Sequence, residues 1–178
     1  MLEVKDFFNP HSKLVKHVLS EDFPWYFPVN TWEHVEAHYH LLLSRNFSDP
    51  KIVSEYFYPF QEIFAKFCEE NSIVPNVLYS AALHQTLPST KVSQNFHVDF
   101  EFPHKLVIMY LNDDFEAGRT LVTDFTKTPY LPLVTSDVLE NTQIKAEKGK
   151  ILYFDGLRYH AGEYPVGGRR VVCIFAFN

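Results

Sequence analysis

The chain has 178 residues, of which 46% are apolar and 21% charged, and carries a net charge of −6. That length suits one domain with a full hydrophobic core, and the apolar share excludes an intrinsically disordered chain. The acidic balance argues against a general binder of nucleic acid or of anionic membrane, because a phosphate-rich surface would repel it.

Aromatic residues reach 16%, with 17 Phe and 10 Tyr. Each buries a large area, which favours a sheet-based core. Cys68 and Cys173 are the two cysteines. They form no metal-spaced pair and no disulfide framework, which suits a reducing cytoplasm. The start, MLEVKDFFNP, has no apolar stretch after a basic beginning, so no signal peptide is expected. No apolar run reaches the roughly 18 residues of a membrane-spanning helix.

Residues 1–74 read as mainly helical support. Leu14, Val15, Val18 and Leu19 recur at helical spacing, and Pro24 ends that run. Thr31 is a candidate cap for a second helix, with Glu33 and Glu36 in its first turn and Leu41, Leu42 and Leu43 further on. A third helix is expected from Pro59 to Asn71, with Phe60, Ile63, Phe64 and Phe67 on one face. After Pro75 the pattern changes to short runs rich in β-branched and aromatic residues: VLYSAAL, KLVIMYL, TLVTDF, GKILYF and RRVVCIFAF. Turn signals such as Asp113-Asp114, Asp155-Gly156 and Gly167-Gly168 separate them. Helices followed by many short strands predict an α+β protein built on an antiparallel β-sandwich or barrel.

The sharpest local feature is NFHVDF, residues 95–100. On a strand, His97 and Asp99 point to the same face and present an imidazole beside a carboxylate. His160, in YFDGLRYHAG, follows the strand GKILYF. Two His and one carboxylate make the facial set that leaves positions open on a non-haem iron. Taken singly, each has a plainer reading: an ion pair on a strand for His97 and Asp99, a turn histidine for His160. Ten residues beyond His160, Arg170 opens the last strand. Its guanidinium suits a carboxylate, while Arg169 should face the opposite way.

This ordered set resembles the prolyl-4-hydroxylase-like branch of the 2-oxoglutarate and Fe(II)-dependent oxygenases. The resemblance covers residues 75–178 and runs through HVD at 97–99, VIMYLNDDFEAGRTLV at 107–122, KAEKGKILYFDGLRYHAG at 145–162 and PVGGRRVVCIFAF at 165–177. It implies a double-stranded β-helix, a jelly-roll or cupin-like antiparallel sandwich, over residues 75–178. It implies His97, Asp99 and His160 as iron ligands. It implies Tyr110 and Arg170 as partners of the distal carboxylate of 2-oxoglutarate, with Thr120 lining the co-substrate site. Fe(II), 2-oxoglutarate and O2 would be required, with ascorbate an optional addition. The implied reaction hydroxylates a C–H bond of a peptidyl prolyl or other amino-acid substrate, giving succinate and CO2. The partner would be a peptide, a protein or a small molecule.

The approach to the metal motif, LPSTKVSQNF, is longer than the family's usual small-residue approach and borders the substrate side. Ala117-Gly118-Arg119 stands where the family has Gly-Gly. Two other readings compete. One is a sandwich module binding a carbohydrate or a partner protein. The other is a cupin-like metal site without 2-oxoglutarate chemistry.

Ile108, Leu121, Phe154, Cys173 and Phe175 are apolar candidates for the site lining, and ordinary core packing explains them equally. His34 and His38 share helical spacing, but Val35 occupies the place where a zinc-protease motif needs Glu. His84, Gln85, His104 and Tyr79 are near enough in sequence to reach the site, and loop or core roles account for them too.

Overall fold

Ser12 starts the first helix, α1 (Lys13–Val18), its hydroxyl accepting the Val15 N–H at 3.3 Å. Such a cap satisfies one of the donors that a helix start leaves open. Val15 and Val18 form its buried face. The second helix, α2 (Phe57–Glu70), buries Phe57, Phe60, Phe64, Phe67 and Cys68 as one stripe. That is the face the spacing predicts, and each such side chain contributes about 1.5–3 kcal/mol when withdrawn from water. The computed structural model describes residues 1–26, 37–44, 46, 48–127 and 140–178.

Between these helices the sequence reading is corrected. Ala37–Leu41 is a strand, β2, not the body of a helix. Thr31, Glu33, His34 and Glu36 lie outside the described residues. The His and Leu spacing satisfies a helical pattern, but β2 pairs antiparallel with the following strand β3 (Leu78–Thr86), in the register Tyr39 to His84 and Leu41 to Ala82. Sheet pairing overrides local spacing here, as tertiary context commonly does with propensity.

The remaining strands are β1 (Leu2–Val4), β4 (Lys105–Tyr110), β5 (Glu116–Ala117), β6 (Thr120–Thr126), β7 (Asn141–Ile144), β8 (Ile151–Asp155), β9 (Arg158–Gly162), β10 (Pro165–Val166) and β11 (Arg170–Phe177). Six of them form one sheet in the order β1-β8-β4-β11-β3-β2, and three form a second in the order β7-β6-β9. The first 74 residues therefore supply an edge strand at each side of the large sheet as well as two helices.

Strand alternation divides the core in two. Val171, Cys173, Phe175 and Phe177 of β11 face the helices, where Phe64 stacks on Phe175 at 4.7 Å and 9°. Val172 and Ala176 face the small sheet and pack with Leu106, Ile108, Tyr110, Val122 and Ile144. Of the apolar candidates, Ile108 lines the inner cavity, and Phe154 lies in the layer between the sheets. Cys173 and Phe175 belong to the helix side, and Leu121 joins Phe96, Tyr159 and Ala161 in a separate cluster.

Candidate functional site

Residues 92–97 run beside β9. Gln94 donates its backbone N–H to the Gly162 carbonyl at 2.9 Å, and His97 and His160 exchange both backbone hydrogen bonds at 2.9 Å. Directly paired residues project to the same side of a sheet, so the two imidazoles meet with ring centroids 4.7 Å apart. Asp99, two residues on, brings Oδ1 to 3.7 Å from His97 Nε2 and 3.8 Å from His160 Nε2. The three donor atoms lie within 4.8 Å of one another.

The other ring nitrogens fix the tautomers. His97 Nδ1 lies 2.9 Å from the Asn95 carbonyl, and His160 Nδ1 lies 3.0 Å from the Arg158 carbonyl. A carbonyl only accepts, so each Nδ1 carries a proton, and each Nε2 stands on the side of Asp99. This is the outer support that metal-ligating histidines commonly have. His160 is buried against the edge of the Phe154 ring at 5.2 Å. Burial pushes its pKa down to about 4, against the pull of the Asp99 carboxylate. The neutral imidazole is therefore the resting form. Two imidazoles and a carboxylate suit a divalent ion of intermediate hardness such as Fe(II).

Beside this set lies a buried cation. Arg170 is 6% exposed, and its Nη2 donates to Thr120 Oγ1 at 2.8 Å. Thr120 Oγ1 also lies 2.6 Å from the Tyr110 hydroxyl, and the guanidinium carbon sits 5.6 Å from the Tyr110 ring centroid. Among the described residues Arg170 has no carboxylate partner, and its Nε has no hydrogen-bond partner. Burial lowers its pKa from the ordinary arginine range. A buried, unneutralised guanidinium is costly unless an anion joins it. Arg170 lines an open cavity, and Gly162 keeps its edge clear: a Cβ there would crowd Gln94 Oε1 at 3.2 Å and lie 3.5 Å from Arg170 Nη1.

Arg169 points the other way, as alternation predicts. It donates to Gln85 Oε1 at 2.8 Å and to the Leu19 carbonyl beyond α1. Asn112, a turn residue in the sequence, is buried and holds the backbone on both sides of Arg170. Arg119 clasps Glu163 with its backbone N–H at 3.0 Å and its Nε at 2.7 Å, next to Thr120 and Gly162.

His97, Asp99, His160, Thr120 and Arg170 line one cavity of about 450 Å³. This lies in the range of small-ligand sites. Tyr110, expected to touch the co-substrate, is fully buried and not part of this lining; it reaches the site through Thr120 Oγ1. Tyr39, Gln94 and Asn95 also line it and were not singled out in the sequence. Tyr39 was hidden by the helical reading of its segment, and Gln94 and Asn95 lie in the approach already marked as bordering the site. His84 faces the cavity, while Gln85 faces away toward His38 at 3.0 Å. His104 is buried with Nδ1 bonded to the Phe102 carbonyl at 2.8 Å, and Tyr79 packs edge-on against Phe102 at 4.9 Å. Neither is part of the cavity lining.

The sequence matches no protein-family model. It also matches no curated protein. Solved structures do resemble it. An oxidoreductase of the 2OG-Fe(II) oxygenase family from Burkholderia pseudomallei superposes with a TM-score of 0.68 at 12% identity, over 99% of this chain and 83% of that one. HygX from Streptomyces hygroscopicus, solved with nickel and 2-oxoglutarate, gives 0.66 at 12% identity over 99% and 82%. A prolyl hydroxylase from Trichoplax adhaerens, bound to a peptide of the hypoxia inducible factor, gives 0.65 at 10% identity over 99% and 82%. The chain thus has the double-stranded β-helix fold of the 2-oxoglutarate- and Fe(II)-dependent oxygenases, prolyl hydroxylases included.

Proposed function

We propose that the protein is an Fe(II)- and 2-oxoglutarate-dependent oxygenase that hydroxylates a C–H bond of a peptidyl prolyl or other amino-acid substrate. The observation that carries this reading is the buried guanidinium of Arg170, without an anionic partner among the described residues, in the same cavity as His97, Asp99 and His160. Neither half alone is specific. Together they suit a co-substrate that chelates a metal at one end and carries a carboxylate at the other.

His97, Asp99 and His160 would hold Fe(II) through Nε2, a carboxylate oxygen and Nε2. When bound, the ion together with 2-oxoglutarate and O2 supplies the oxidation that converts C–H to C–OH, with succinate and CO2 as co-products. The chain's own residues do the rest. Arg170 pairs with the distal carboxylate, and Thr120 and Tyr110 fix the guanidinium and its surroundings. Leu106, Ile108 and Ile174 floor the cavity with apolar surface and keep bulk water from the reacting end. The neutral His160 remains available to the ion without giving up a proton. The two unpaired buried thiols, Cys68 and Cys173, fit a cytoplasmic setting. No helix among the described residues is long and apolar enough to cross a membrane.

The test is an anaerobic visible spectrum of the protein with Fe(II) and 2-oxoglutarate. A keto acid chelated to iron in such a facial-triad site is expected to give a weak visible charge-transfer band. We expect the band in the wild type, its loss in His160→Ala and its weakening in Arg170→Ala. Iron binding with no band would overturn the co-substrate assignment and leave a cupin-like metal site.

A further inference from the structure

The stretch that carries His97 runs beside β9, and the pairing sets its side chains in rows. His97 stands opposite His160, which stands opposite Val122 of β6. Two residues along β9, Gly162 stands opposite Thr120 and accepts the Gln94 backbone N–H at 2.9 Å. One row therefore holds the paired imidazoles, and the other, about 7 Å away, holds Gln94, Gly162 and Thr120. Gly162 brings no side chain, so the middle of the second row stays open. A Cβ there would lie 3.2 Å from Gln94 Oε1 and 3.5 Å from Arg170 Nη1, so a group occupying that point touches both. Gln94, Gly162, Thr120 and Arg170 all line the cavity.

On the oxygenase reading, the distal carboxylate of 2-oxoglutarate lies against Arg170. A carboxylate has two oxygens and about four acceptor positions. The guanidinium meets one side of it. Thr120 Oγ1 is already engaged by Arg170 Nη2 at 2.8 Å and by the Tyr110 hydroxyl at 2.6 Å. The far side of the carboxylate still needs a donor, because an unpaired oxygen in a buried place costs free energy. Gln94 stands on that side, half-buried. A carboxamide offers two N–H donors and one carbonyl oxygen, and a half-turn about its terminal bond exchanges them. Its neutrality matters as well. A carboxylate at position 94 would neutralise Arg170 and take the place of the incoming anion.

We propose that Gln94 is a co-substrate-binding residue: it walls the open point from the side facing Arg170 and donates its carboxamide N–H to the distal carboxylate. That end of the ligand is then held between a charged and a neutral donor. The inference rests on the oxygenase reading and deepens it. It also gives position 94 a part in specificity, since a neutral amide there admits an anion beside Arg170 and an acidic side chain excludes one.

The experiment takes the half-saturating concentration of 2-oxoglutarate from the visible band of the anaerobic Fe(II) protein. It repeats the titration with 2-oxoglutaramate, whose distal end is a neutral amide. Gln94→Leu keeps most of the volume and removes the donor. It should raise the 2-oxoglutarate requirement about tenfold with iron affinity unchanged, which also reports a folded site. Gln94→Glu should weaken 2-oxoglutarate at least about tenfold more than it weakens the amide. A merely structural role would weaken both alike. In the metal-free protein, Gln94→Glu should raise the melting temperature by about 2–4 °C through its pairing with Arg170, and Gln94→Leu should not. If the wild type binds iron and gives no band, the co-substrate reading has failed and takes this inference with it. If the wild-type band forms, the oxygenase reading stands, and the role of Gln94 is overturned by any of the following: an unchanged 2-oxoglutarate requirement in Gln94→Leu, equal weakening of acid and amide in Gln94→Glu, or no gain in its melting temperature.

Discussion

Asn112 brackets Arg170 with a single carboxamide: its Nδ2 donates to the Arg169 carbonyl at 2.7 Å, and its Oδ1 accepts the Val171 N–H at 2.8 Å. The side chain thereby stands in for a ladder partner at the start of β11 and sets where the guanidinium emerges. Asn112→Ala leaves the buried Val171 N–H without its acceptor, a loss on the order of 1–3 kcal/mol. Urea unfolding should show that loss. The half-saturating 2-oxoglutarate concentration for the visible band should rise about tenfold, while iron affinity stays put. An unchanged 2-oxoglutarate requirement would mean that Asn112 supports the fold alone.

Arg170 itself should show a trade of stability against binding. Without an anion it is a buried charge bonded to Thr120, with one nitrogen left unpartnered. Arg170→Met keeps most of the volume and removes the charge. Replacing buried charges by apolar groups is often neutral or stabilising. The metal-free, ligand-free variant should therefore melt no lower than wild type. Wild type should gain about 2.7 kcal/mol from 2-oxoglutarate at a hundredfold excess over its dissociation constant. The variant should gain nothing. Thermal unfolding with and without 2-oxoglutarate measures both.

Gly162 controls room at the same point. A side chain there would crowd Gln94 Oε1 at 3.2 Å and Arg170 Nη1 at 3.5 Å. Gly162→Val is expected to fill the space meant for the distal carboxylate yet leave His160, two residues earlier, in place. Iron should still bind, and the visible band should disappear. A band of normal intensity in this variant would put the carboxylate elsewhere.

These positions differ in how they could be read beforehand. His97 and Asp99 were legible because a two-residue spacing fixes a shared face on any extended segment, and the structure brings His160 to them. For Arg169 and Arg170 alternation says only that the two diverge, and the choice of Arg170 as the inward one came from the family resemblance. Alternation says nothing about which strand lies next to which. Tyr39 and His84 become neighbours only through the β2–β3 register. The sequence through β2 carries helical spacing, so nothing local announced an edge strand. Asn112 shows the opposite failure: its residue type signals a turn correctly, and only the packing shows that it also grips β11. The stripe of α2 was legible in Phe60, Phe64 and Phe67, while Ile63 is only half-buried and the helix starts two residues earlier, adding Phe57 to the buried face along with Cys68.

His160 and Glu163 contribute to the pH dependence of the metal-free protein in different windows, with His38 adding to the upper one and Asp155, Glu147 and Glu101 to the lower one. Burial holds His160 down to about 4, below its ordinary value of 6.5. Between those values the unfolded chain takes up a proton that the folded chain refuses, so stability rises with pH through this window and is lost as pH falls from 6.5 toward 4. The Arg119 guanidinium keeps the Glu163 carboxyl below its ordinary 4.5. Its contribution is therefore full above pH 4.5 and is lost as pH falls through the depressed value. Arg119 is 41% exposed at its side chain, so solvent reduces the worth of this pair to about 1 kcal/mol. Urea unfolding between pH 7 and pH 3 should show a decline beginning near 6.5 and steepening below 4.5. His160→Gln should flatten the upper limb and leave the lower one, and Glu163→Gln should do the reverse. His38 is also lowered by burial, so a small decline is expected to remain; a His160→Gln profile that declines between 6.5 and 4 as steeply as wild type would show that the His160 imidazole is not the group refusing the proton.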